Sequence, residues 1–107
     1  MIEVGSIVVI HLAEPSEKLW GLLTRLDGLG AVLRGIPLDS VDTWMLEVAG
    51  GETPSLGLST VFVPMARIAK IYLDEATGQV PSYRERFEER VGVPVEEWLE
   101  LGGPKPS

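Results

Sequence analysis

Few side chains in this 107-residue chain have the chemistry of a catalytic or metal-binding site. His11 is the only histidine and there is no cysteine, so neither a histidine-based metal site nor a triad that combines histidine with cysteine can be assembled. The lack of cysteine also excludes disulfides, thiolate catalysis and zinc–thiolate sites, and it is compatible with a reducing cytosol. A single histidine in a strand more often has a structural role or lies on the surface than acts in a functional site. We therefore expect no metal and no cofactor.

Three acidic residues, Asp39, Asp42 and Glu47, are the closest approach to a catalytic carboxylate pair. Asp39 and Asp42 fall at the start of a predicted helix, where the helix dipole favours negative charge. The Gly28–Gly30 segment lacks the G-x-G-x-x-G spacing and the following helix of a phosphate-binding loop, and we interpret it as a turn. We therefore predict that the protein is not an enzyme. A small-molecule or catalytic site beside the helix, using Asp39, Asp42 or His11, is the third alternative.

The side chains best suited to binding are tryptophans and arginines. Tryptophan offers a large apolar area with one polar atom and is enriched at protein interfaces. We expect Trp44 and Trp98 to anchor helices on the core. Trp20 is expected to be partly exposed, because it lies beside Gly21 on a strand whose other face carries leucines. The arginines either form a small anion or RNA patch or pair with nearby acids. The candidate interaction surface comprises Trp20, Arg25, Arg34, Arg67 and Trp98.

The elements that must position these side chains are mainly strands, recognised by β-branched and apolar runs between turn residues. The predicted strands are Ile7–Leu12, Lys18–Asp27, Ala31–Pro37, Thr60–Val63 and Ile68–Leu73. Gly21 within the second strand indicates a bulge, a bend or a close backbone approach, and we expect the bend that closes a barrel there. Met65–Arg67 suits a tight turn.

One helix interrupts the strands. Apolar residues at i, i+3, i+4 and i+7 predict a helix within Asp39–Gly51, with Val41, Trp44, Met45 and Val48 on its buried face. Asp39 or Ser40 is the expected N-cap, and two glycines end the helix.

Two short amphipathic helices are predicted after the last strand. Ser82 and Glu85 have the spacing of a capping box, and the helix they start ends at Gly92. A last helix begins near Pro94. Residues 1–75 are therefore interpreted as a small β-barrel with a helix inserted at about 40–49, and residues 76–107 as a helical extension that is not an independent domain.

Charge is unevenly distributed along the chain. The formal net charge is −7, and residues 74–100 hold eight acidic and three basic residues. Because nucleic-acid binding depends on neutralising phosphates, this balance disfavours RNA as a partner. No apolar run is long enough to cross a bilayer, and the N-terminus lacks the features of a signal peptide. We expect a cytoplasmic protein without membrane contact.

The stretch Gly21–Asp27 is followed by Val32 and Leu33, and a tight turn joins the last two of the five short predicted strands. This pattern resembles the Sm-like family of SH3-like small barrels. The resemblance covers about residues 5–74 without the helix. It implies the small-barrel fold and leaves assembly into a ring open. Ala31 stands where that family has its RNA-binding asparagine, and Val63–Arg67 replaces its Arg-Gly or Lys-His pair.

The predicted fold class is therefore mostly β: a five-stranded Sm/SH3-like small barrel with an inserted helix and a C-terminal helical extension. The predicted function is a non-catalytic binding or assembly module that acts through protein contacts. A homo-oligomer is expected, through strand pairing or exchange of the tail helices, because barrel edges are often completed by another subunit. An Sm-like RNA-binding oligomer that uses Arg25, Arg34 or Arg67 is the alternative.

Overall fold

A computed structural model gives the structure of residues 1–55 and 57–101, with only the backbone of Leu101 described. The strands are β1 (Ile7–Leu12), β2 (Glu17–Asp27), β3 (Gly30–Pro37), β4 (Ser59–Pro64) and β5 (Ile68–Leu73), and the helices are α1 (Val41–Ala49), α2 (Tyr83–Val91) and α3 (Glu96–Leu101). Short 3-10 turns cover Leu38–Ser40 and Met65–Arg67. All five predicted strands and all three predicted helices are therefore confirmed, within one or two residues at most ends. Residues 102–107, the end of the predicted extension, lie outside the described residues.

The strands form one antiparallel sheet in the order β4-β3-β2-β1-β5. Strands β4 and β5 are its edges, and within residues 1–55 and 57–101 no ladder of hydrogen bonds joins them. The mostly-β architecture is thus confirmed as an open five-stranded sheet. Closure into a barrel stays a prediction.

Both faces of this sheet are buried. On one, which we call the outer face, alternate residues of β1–β3 pack under the three helices; the buried residues are Ile7, Val9, Trp20, Leu22, Ile36, Val41, Trp44, Met45, Val48, Phe87, Val95 and Leu99. The alternation of strand side chains places the intervening residues on the opposite face.

The opposite, inner face has an aliphatic core; its buried residues are Val8, Ile10, Leu12, Leu19, Leu23, Ala31, Leu33 and Val63. Val61 of one edge strand and Ile68 and Ile71 of the other pack against the same cluster while remaining partly exposed. Because side chains of both edges meet in one core, the sheet is strongly curved around its inner face.

Two paired glycines permit this curvature. Gly21 of β2 is opposite Gly35 of β3, and a Cβ on Gly21 would lie 2.2 Å from the carbonyl oxygen of Arg34. A Cβ on Gly35 would lie 2.0 Å from the carbonyl oxygen of Trp20. The irregularity expected at Gly21 is therefore a close backbone approach. The shift in strand register lies further along, between Leu23 and Arg25.

Helix α1 buries the predicted apolar face, Val41, Trp44, Met45 and Val48. Ser40 occupies the predicted N-cap position, but its side chain makes no hydrogen bond to the helix. The 3-10 turn before it leads the chain into the helix instead. The helix ends at Gly50, and Gly51 follows with a φ of 75°.

Helix α2 begins with two capping interactions, one of which ties it to the end of β5. In the predicted capping box, which is confirmed, the Ser82 hydroxyl accepts from the Glu85 N–H at 3.0 Å. Asp74, just after β5, accepts from the N–H groups of Tyr83 and Arg84, each at 2.9 Å. Within the described residues, no helix is long and apolar enough to cross a membrane.

Candidate interaction surfaces

Trp20 is completely buried, so the expectation that it is partly exposed is wrong. Its ring lies 5.7 Å from that of Trp44 and 6.5 Å from that of Tyr83, and its indole N–H donates to a carboxylate oxygen of Asp74 at 3.3 Å. Leu19 and Leu23 of β2 occupy the inner face, as expected, but Leu22 shares the outer face with Trp20, and the helices cover that face. Its role in this fold is to join the sheet, α1 and α2.

The other two tryptophans meet in the same region. Trp44 is buried, as predicted for a core anchor, and stacks on Phe87 with ring centroids 5.1 Å apart. Trp98 of α3 is partly buried and meets Trp44 edge-on at 6.2 Å. Trp98 therefore has an accessible portion, whereas Trp44 has almost none.

The three candidate arginines lie in three different environments. Arg25 is exposed and forms an ion pair with Asp27 at 2.8 Å. Arg34 is partly buried and donates to the carbonyl oxygen of Leu58 at 3.0 Å. Arg67, in the turn between β4 and β5, donates to the carbonyl oxygens of Ala13 at 3.3 Å and Pro15 at 2.9 Å. These contacts fix local structure, and they do not assemble one cationic patch.

Three exposed apolar side chains lie near the β4 edge. Phe62 is 57% exposed, and two nearby residues, Leu29 (73%) and Met65 (41%), are also open. Leu29 and Met65 are joined by a backbone hydrogen bond of 2.9 Å, and Phe62 is opposite Val32 of β3. Strand β4 carries no charged side chain. Free sheet edges are usually protected by charges, so this one is suited to pairing with another strand.

A cleft of about 430 Å³ runs beside this edge. Its walls are mostly apolar and belong largely to the inner core, with Leu12, Leu19, Leu33, Val61 and Val63 among them. Two charged residues, Glu17 and Arg67, also line it. The partly exposed inner core therefore opens to solvent along β4, where an added strand would place its side chains.

A short basic strip lies on the outer face, where register brings Lys18 of β2, His11 of β1 and Lys70 of β5 side by side. The ring of Tyr72 packs on His11 with centroids 4.7 Å apart. Burial, and then the charges of Lys18 and Lys70, hold the pKa of His11 below its usual range. The strip has no signal in the sequence, because only the pairing register brings these three residues together.

Two of the residues considered for catalysis are held in structural contacts, whereas Asp39 is exposed. Asp42 forms an ion pair with Arg86, and Glu47 accepts from the backbone and hydroxyl of Ser55. Among the described residues, no three metal-ligating side chains are grouped together. The Gly28–Gly30 segment is the β2–β3 turn, in which Asp27 accepts from the Leu29 N–H at 2.9 Å.

Comparison with known proteins adds no relative to this description: no family model, no curated protein and no solved structure matches the chain.

Proposed function

We propose that this chain is a non-catalytic assembly module of the Sm/SH3-like small-barrel class, which binds protein by adding a strand to its β4 edge. The observation that carries the proposal is the uncharged β4 edge beside an apolar cleft of about 430 Å³. The glycine in β2 and the tight turn between β4 and β5 support the small-barrel class.

The preferred occupant of the edge is a strand from a second copy of this chain. Pairing would satisfy the free backbone groups of β4, and the side chains of the added strand would cover Val61 and Val63 from the cleft side. Burying the exposed part of Phe62, roughly 100 Å² of apolar area, would contribute about 2.5 kcal/mol. Edge completion of this kind gives closed symmetric oligomers when the rotation between subunits closes.

The test is the solution mass of the full chain by light scattering over a range of concentrations. We expect an oligomer for the wild type and a monomer for Phe62→Lys, since a buried lysine at the interface would lose its hydration. Leu46→Lys is the matched control, because Leu46 is 60% exposed on α1, away from β4. A wild-type monomer at all concentrations, or an unchanged Phe62→Lys oligomer, would contradict the proposal.

The second candidate function is binding of single-stranded RNA, and the basic strip is the observation that favours it. Lys18 and Lys70 would neutralise phosphates, and Tyr72 would stack on a base. The test is fluorescence anisotropy with an oligouridine at several salt concentrations. If this function is correct, binding weakens as the salt concentration rises. The double variant Lys18→Ala/Lys70→Ala loses binding, whereas Arg25→Ala retains it.

A further inference from the structure

A second cleft, of about 290 Å³, lies where α1, α3 and β3 meet, on the side of the molecule that carries the helices. Arg34, Trp44, Trp98 and Leu58 line it, together with the hydroxyl-bearing Thr53. Among the described residues no acidic side chain lines this cleft. In a chain with a net charge of −7, such a donor-rich and acid-free cleft is suited to an anionic ligand.

The indole nitrogen of Trp98 is the first sign of a missing acceptor. It is buried, and no hydrogen-bond acceptor reaches it from the described residues. Trp98 is also one of the residues that line the cleft. Buried polar groups are paired with protein or water in the great majority of cases, so this unpaired donor is a place where an acceptor atom is missing. Trp20 offers the contrast, since its indole N–H is bonded to Asp74.

Arg34 is the second donor. One of its terminal nitrogens donates to the Leu58 carbonyl at 3.0 Å, which fixes the guanidinium at the cleft. A guanidinium has five N–H donors, and no carboxylate of the described residues lies within ion-pair distance of this one. Its planar fork matches the two oxygens of a carboxylate.

We infer that this cleft binds a small organic carboxylate with an apolar body. The carboxylate would take N–H donors from Arg34 and Trp98, and the apolar body would lie against Leu58 and the exposed part of Trp98. The size of the cleft limits the ligand, because drug-sized molecules require about 300–1,000 Å³. The inference is independent of the proposed assembly at β4, which lies at a different surface, and Phe62→Lys should bind the carboxylate as the wild type does.

The test uses phenylacetate as the probe and the three indole N–H signals in a two-dimensional nitrogen–proton spectrum as the readout. Trp98→Phe assigns the signal of Trp98. We expect phenylacetate to move that signal downfield in a saturable manner and to leave the Trp20 signal in place. Phenylacetamide has the same shape without the charge, and at equal concentration it should produce no saturable shift.

Two arginine variants locate the anion. Arg34→Gln should weaken phenylacetate binding at least tenfold, whereas Arg25→Gln, at an exposed arginine already paired with Asp27, should bind as the wild type does. Three results would overturn the inference: no saturable shift in the wild type, an equal response to phenylacetamide, or undiminished binding in Arg34→Gln. The inference would also be overturned if the Trp98 indole N–H already had the chemical shift of a hydrogen-bonded group without ligand, since the acceptor would then belong to the chain.

Discussion

The two faces of the sheet are buried by different means. The outer face is covered by three helices and has an aromatic core, in which Trp20, Trp44 and Phe87 are each at most 1% exposed. The inner face is aliphatic and relies on curvature of the sheet, with Val61, Ile68 and Ile71 left partly exposed at the edges. Aromatic packing under the helices therefore stabilises the outer face, whereas the inner face opens to solvent at the cleft beside β4.

The largest expected effect comes from breaking the outer core at Trp44, which contacts Trp20, Phe87 and Trp98. Trp44→Ala should lower the free energy of unfolding by about 3–5 kcal/mol, because a large buried side chain leaves a cavity. Urea denaturation measures this loss, and Leu46→Ala on the exposed side of the same helix is the control. A loss no larger than that of Leu46→Ala would show that the helices contribute little to stability.

The next effect concerns the curvature of the inner face. Gly21→Ala should cost about 1–3 kcal/mol, because its Cβ would meet the backbone of β3 and force the strands apart. Gly28→Ala is the matched control, since a Cβ there meets no atom within 4 Å. Thermal and urea denaturation measure both variants. Equal stability of the two would mean that the close approach of β2 and β3 does not constrain the sheet.

A smaller effect is expected where the tail joins the sheet. Asp74→Ala removes the acceptor of Trp20, Tyr83 and Arg84 and should cost about 1–2 kcal/mol. Hydrogen exchange should accelerate more in α2 than in β1, because the contact that ties α2 to the sheet is lost. Asp39→Ala, at an exposed acid, serves as the control. Equal acceleration in α2 and β1 would show that the tail does not open separately.

The smallest effect is on titration at the basic strip. The groups that face His11 are Lys18 on β2 and Lys70 and Tyr72 on β5, and the two lysines help to lower its pKa. Lys70→Ala should therefore move the pKa of His11 upward toward about 6.5, as followed by NMR titration, whereas Arg25→Ala should not. An unchanged His11 pKa in Lys70→Ala would show that the charge of Lys70 does not affect the protonation of His11.

The same pKa determines how stability depends on pH. Between about 6.5 and the lowered value, the unfolded chain binds the proton more readily than the folded chain does. The contribution of His11 to the free energy of unfolding is therefore complete above that interval and is lost as the pH falls through it. His11→Gln should remove this part of the pH dependence in urea denaturation.

Local patterns predicted most of the fold, because they report local physics. The spacing of Val41, Trp44, Met45 and Val48 identified the buried side of α1, and Ser82 with Glu85 identified the start of α2. Trp20 was assigned the wrong environment, because what covers it comes from α1 and α2, at least 20 residues further along the chain. A strand pattern shows which residues share a face, and it contains no information on what packs there.

The candidate surfaces were less predictable for the same reason. Lys18, His11 and Lys70 become neighbours only through the register of three strands. Arg34 and Trp98 are 64 positions apart, and only the packing of α3 brings both to one cleft. Strand β4 carries no charged side chain, but its position at the edge of the sheet follows only from the strand order.

The late position of α2 and α3 in the chain has a consequence for synthesis. Translation proceeds from the N-terminus, so the strand that carries Trp20 leaves the ribosome well before Phe87, Val95 and Leu99. Until those residues have been synthesised, the indole rings of Trp20 and Trp44 lack part of the core that covers them in the folded protein. Chaperones bind exposed apolar surface of this kind. The time between synthesis of α1 and α3 is therefore the interval in which a nascent chain of this protein is most vulnerable to aggregation.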